Sequence, residues 1–132
     1  MAYLGKEYKF VKEDNFDGFL KAIGVKDEDI AKLAHYKPAT KLTKDGDYYV
    51  FTFTDPLKTK EVKFKSGVEQ DEEIRDGSKV KTTYTVDGNV ITQVLKRDDK
   101  SATFKREFDG DNLTVTITAS QWDGVAHRYY KA

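Results

Sequence analysis

The sequence predicts a mainly β protein: an all-β, ten-stranded antiparallel up-and-down barrel, with a pair of short helices across one open end. Three features point there. Turn signals recur at short intervals from residue 44 onward, among them Asp45-Gly46-Asp47, Ser66-Gly67, Asp76-Gly77-Ser78, Asp87-Gly88-Asn89, Asp109-Gly110-Asp111 and Asp123-Gly124. The segments between them are rich in Val, Ile, Thr, Tyr and Phe and alternate with period two. Helical spacing is confined to about residues 15–36.

Each element has its own signature. A first strand covers about residues 6–13. Asn15 is placed to N-cap a helix carrying Phe16, Phe19, Leu20 and Ile23, and Gly24 ends it. Asp27 can cap a second helix with Ile30, Leu33 and Ala34 on one side. Lys37-Pro38 stops it, because the residue before proline resists the α region. Beyond that point strands follow one another without helices between, which implies an antiparallel meander. Within 48–54, Tyr49, Phe51 and Phe53 share a face; within 113–118, Leu113, Val115 and Ile117 do. A meander of roughly ten strands has an edge problem unless it closes, and closure at that size leaves interior room for a small ligand.

Composition narrows the function. The 132 residues form one domain, 1–132, with 23 basic and 23 acidic side chains, so the formal charge is zero. That balance speaks against a nucleic-acid partner, which calls for a basic excess. With no cysteine and two distant histidines, His35 and His127, neither a metal nor a cofactor is expected. The apolar runs are too short to cross a bilayer. The first residues lack the apolar core of a secretory signal, and a cytoplasmic location is expected. No nucleophile–base–orienter set is visible, so an enzyme is not expected.

The informative pattern is the position of two arginines. Alternation in 104–108 places Arg106 between Phe104 and Phe108 on one face. In the last strand Ala126, Arg128 and Tyr130 share a face. An unpaired charge on an apolar face costs several kcal/mol. Either these arginines pair with Asp or Glu, or Arg128 faces solvent, or both guanidiniums and the Tyr130 phenol converge in a cavity to receive an anion. A carboxylate suits such a set, because it takes bidentate bonds from a guanidinium.

At this point the residues resemble a known family. Asn15-Phe16-Asp17, Gly24-Val25, Lys37-Pro38, the Gly-Asp turn at 45–47, Phe64-Lys65-x-Gly67-Val68-Glu69, Val80-Lys81, Asp87-Gly88 and the final Arg128-x-Tyr130 look like the intracellular lipid-binding proteins, specifically the cytosolic fatty-acid-binding proteins. The stretch 120–125 and the ending 128–132 look most like insect members. The resemblance implies a helix-turn-helix-capped barrel that holds a long-chain fatty acid, with Arg106, Arg128 and Tyr130 on its carboxylate. It leaves retinoic acid or another apolar carboxylic acid as the alternative cargo. It also departs from the pattern: the start Gly5-Lys6-Glu7-Tyr8 is one residue longer, and the turn before the last strand, 121–124, is expected to be long.

Other residues carry paired readings. Phe16, Leu20, Val25, Leu33 and Leu57 match the cap and portal positions, where they touch either ligand or barrel. Thr40 and Lys41 stand near the head group or begin a surface strand. Asp76 and Ser78 line the cavity or merely flank Gly77, while Phe104, Val115 and Ile117 are expected to line it. Trp122 reads as a hairpin anchor, and Asp71-Glu72-Glu73 as a solvated face. Lys21, Lys26 and Lys32 either touch anionic membranes transiently or only confer solubility. A monomer is expected.

Overall fold

The computed structural model describes residues 3–34, 37–55, 58–75, 78–97 and 100–132, without the side chains of 33–34, 58, 73–75 and 78. In chain order the elements are β1 (Glu7–Asp14), α1 (Phe16–Ala22), α2 (Asp27–Ala34), β2 (Ala39–Asp45), β3 (Tyr48–Asp55), β4 (Lys58–Phe64), β5 (Glu69–Arg75), β6 (Ser78–Asp87), β7 (Val90–Arg97), β8 (Lys100–Asp109), β9 (Asn112–Ala119) and β10 (Trp122–Lys131). The ten strands form one antiparallel sheet in the order β4-β3-β2-β1-β10-β9-β8-β7-β6-β5. The expected meander is therefore present, with first and last strands paired.

Ladder closure is incomplete. β4 and β5 are the two edges of the sheet and share no ladder. Side chains bridge them instead. Gln70 donates to the Lys63 carbonyl at 3.1 Å, and the Phe64 ring stacks on Tyr84 of β6 at 4.3 Å. Tyr49 and Phe51 lie 5.5 and 5.6 Å from Phe64, extending the cluster along β3. Apolar contact thus does at this seam what hydrogen bonds do elsewhere.

The end of the barrel away from the helices is plugged by tyrosines. Tyr3 donates to the Gly88 carbonyl at 2.7 Å and stacks on Phe108. Tyr8 donates to the Gly110 carbonyl at 2.9 Å. Alternation places Leu42, Phe51, Ile91, Leu113 and Ile117 in the core, each at most 2% exposed.

The helix pair differs from expectation at its start. Asn15 adopts a left-handed conformation (φ 61) and makes no side-chain cap. Its amide instead donates to the Val125 carbonyl of β10 at 3.2 Å, tying the helix to the barrel. The end is as expected: Gly24 (φ 87) lets its own N–H and that of Val25 reach the Lys21 and Leu20 carbonyls.

The connection between the last two strands also differs. Ser120 and Gln121 alone make the turn, and the additional residues enter β10, whose register slips between Trp122 and Ala126. Asp123-Gly124 is therefore part of a bulged strand and not a turn. The bulge seats Trp122 6.0 Å from Phe19 of α1, in keeping with an anchoring role. A Cβ on Gly124 would run into the Trp122 indole. Gly124→Val is expected to expel the ring, lower stability by about 1–3 kcal/mol in urea unfolding, and red-shift the emission of the single tryptophan. An unchanged spectrum would show that the indole does not depend on this glycine.

Candidate ligand-binding site

Strand alternation builds the site. The inner face of β8 presents Phe104 and Arg106, β9 Leu113 and Val115, and β10 Arg128 and Tyr130, around a cavity of about 250 Å³. Thr40, Phe53, Tyr84 and Gln93 also line it, and Phe16 of α1 reaches in from above. A second hollow of about 580 Å³ lies under α1, against Leu20, Ile23 and Val80, and shares Phe16, Leu95 and Phe104 with the first. The interior is hollow, with both arginines lining it.

Each guanidinium lies against aromatic rings and beside a polar side chain. Arg106 lies 5.0 Å from the Phe51 ring centroid and 5.8 Å from Phe104. It donates to the Gln93 side-chain oxygen at 2.8 Å. Burial pulls its affinity for a proton below the ordinary arginine value, although a guanidinium stays charged at neutral pH. Arg128 sits between Phe16 and Phe10, 4.6 and 4.8 Å from their centroids. Its Nε faces the Glu13 carboxylate at 3.4 Å. The Tyr130 hydroxyl is held above its usual value by burial, which the two arginines partly oppose. It enters the site as a neutral donor.

A polar network runs from Arg106 into the far wall. Gln93 passes the contact on, its amide donating to Glu72 at 3.2 Å. Glu72 also accepts from Tyr84 at 2.9 Å and from Thr82 at 3.1 Å. Burial, with the Glu72 carboxylate next, drives the Tyr84 hydroxyl far above its ordinary value, so it remains a donor. Glu72 is thus turned inward, against the expectation of a solvated acidic run. Its neighbour Asp71 does face solvent, paired with Lys81.

The expected site residues divide into groups. Arg106, Arg128, Tyr130, Thr40, Phe16, Phe104 and Val115 meet at the first hollow, and Leu20 at the second. The Thr40 hydroxyl has no hydrogen-bond partner among the described residues, whereas Lys41 faces outward. Val25 and Ile117 are buried (6% and 0% exposed) but line neither hollow. They pack the shell, Val25 behind the helix turn and Ile117 deep in β9. Leu57 and Asp76 lie outside the described residues, as do His35 and the side chains of Leu33 and Ser78.

Sequence reasoning missed Gln93, Glu72 and Glu13. Gln93 was findable, since it alternates in phase with Ile91 and Leu95 just as Arg106 does with its phenylalanines. Glu72 carried a weaker signal, since Ile74 is the one apolar residue of β5 that alternates in phase with it. Glu13 was hidden by a bulge in β1.

A family model described as lipocalin / cytosolic fatty-acid binding protein matches residues 4–123. The chain belongs to that family. Fatty acid-binding protein 1 of Manduca sexta is 58% identical over 132 residues, covering all of both chains. The crystal structure of the fatty-acid-binding protein isolated from Manduca sexta superposes with a TM-score of 0.93 at 56% identity, over 99% of this chain and 100% of that one. A Schistosoma mansoni fatty acid binding protein in complex with arachidonic acid gives 0.88 at 29% identity, over 98% and 95%. The family expectation, the barrel and the likeness to insect members all hold.

Proposed function

We propose that this protein binds a long-chain fatty acid in its interior and carries it through the cytoplasm as a monomer, without catalysis. Arg106, Arg128 and Tyr130 take the carboxylate, with the Thr40 hydroxyl beside them. The observation that supports this most directly is the convergence of two guanidiniums and a phenol on one cavity, which Lys60 and Glu72 also line and which offers an apolar wall of phenylalanines, Leu95, Leu113 and Val115. A head group that meets those donors leaves its chain among Phe16, Phe53, Phe104, Leu113 and Val115. Each buried methylene contributes about 0.8 kcal/mol, enough along a long chain to offset the cost of association. Membership in a fatty-acid-binding family, and the arachidonic acid held by the schistosome relative, favour the same cargo. Lys21, Lys26 and Lys32 lie exposed on the helix side, which suits transient contact with an anionic membrane during transfer.

The reading is tested with delipidated protein titrated calorimetrically with oleate, and with native mass spectrometry of protein taken from cells. One bound acyl chain per protein and sub-micromolar saturation are expected. Full displacement of a fluorescent fatty acid by retinoic acid at lower concentration than by oleate would reassign the cargo. No binding of either would end the carrier reading.

A further inference from the structure

The partner of Arg128 comes from a strand whose alternation points elsewhere. In β1, Tyr8 and Phe10 face inward, and strict alternation would send Lys12 in and Glu13 out. The ladder to β10 slips by one residue instead: Phe10 pairs with Tyr130, but Lys12 pairs with Tyr129 and Glu13 with Arg128. Two residues that pair directly across an antiparallel ladder share a face. The slip therefore turns Lys12 outward, over the Tyr129 ring at 5.2 Å, and brings Glu13 in beside the guanidinium. Asp14, next along, is exposed and lies 3.8 Å from His127. Bulges commonly re-aim a side chain in this way.

The resulting pair is close but poorly aligned. Glu13 Oε2 stands 3.4 Å from Arg128 Nε, is buried, and has no hydrogen-bond partner among the described residues. It neutralises much of the charge that a buried guanidinium would otherwise carry, without the bidentate bonds that make a carboxylate hard to displace. A ligand carboxylate arriving at Arg128 meets a cation that already has an anion alongside. From this geometry we propose that Glu13 is a built-in competitor of the ligand carboxylate, a specificity-determining residue that limits how strongly the site prefers anionic over neutral lipids. The proposal rests on the carrier reading and adds to it. Glu13 holds the empty site near neutrality, and its repulsion of the incoming head group tempers affinity so that cargo is released as well as captured.

The experiment is a calorimetric titration of wild type, Glu13→Gln, Arg128→Ala and the double variant with oleate and with oleyl alcohol. Glu13→Gln is expected to bind oleate about three- to tenfold more tightly while its urea midpoint falls. Oleyl alcohol binding stays within about twofold, and the gain for oleate disappears when Arg128 is alanine. A purely structural role would weaken both ligands along with stability. Should Glu13→Gln not fold, Glu13→Ser carries the same expectation with a smaller neutral side chain. Unchanged or weaker oleate binding by a folded variant, with wild type binding normally, overturns this inference alone. Failure of wild type to bind either lipid overturns the carrier reading and the inference with it.

Discussion

Arg128→Ala is expected to weaken oleate binding about ten- to hundredfold and to leave methyl oleate binding nearly unchanged. Charge-assisted hydrogen bonds contribute roughly 1.5–3 kcal/mol, and each 1.4 kcal/mol is a factor of ten. The lost bonds act on a charged head group only, so the ester is the control. Calorimetry with the two ligands decides the matter. An equal loss for both would mean that the arginine shapes the cavity, through Phe10 and Phe16 stacked on it, instead of recognising the acid.

Phe64→Ala is expected to cost about 3–5 kcal/mol in urea unfolding, at the upper end for a single core truncation. Phe64 is 1% exposed and contacts rings on β3 and β6. It also stands beside the seam where β4 and β5 have no ladder, so no pairing between those two strands compensates for the lost ring contacts. Truncation at Val62, which is also buried on β4, removes less surface and no ring stack, and should cost about 1–2 kcal/mol less. Equal losses at the two positions would indicate that the aromatic cluster does not brace the seam.

Much of this molecule was legible before any coordinates. Val, Ile and Phe alternating with Thr set the inner and outer faces of β3, β8 and β9, because a pleated strand sends successive side chains to opposite sides. The same arithmetic put Arg106 and Arg128 on apolar strand faces but left open whether they pair with an acid, face solvent or meet in a cavity. What escaped it shares one cause. Alternation counts residues along a single strand, and it fails where a strand bulges, as at Phe10–Lys12 and Trp122–Ala126. It is weak as well where a strand offers a single apolar residue to mark its inner face, as Ile74 does for Glu72 in β5. The open seam was equally invisible, since edge pairing depends on how far the sheet curls and not on either edge's residues.

One chain read alone is sufficient for the fold class, the hollow interior and two cations on apolar strand faces, because hydrophobic period and turn chemistry are local. The company those cations keep belongs to the folded state. Glu13 reaches Arg128 from 115 positions earlier through a one-residue slip, and Glu72 reaches Arg106 through Gln93 from another wall. Ion pairing depends on distance through space, and three-dimensional closure of the barrel sets that distance.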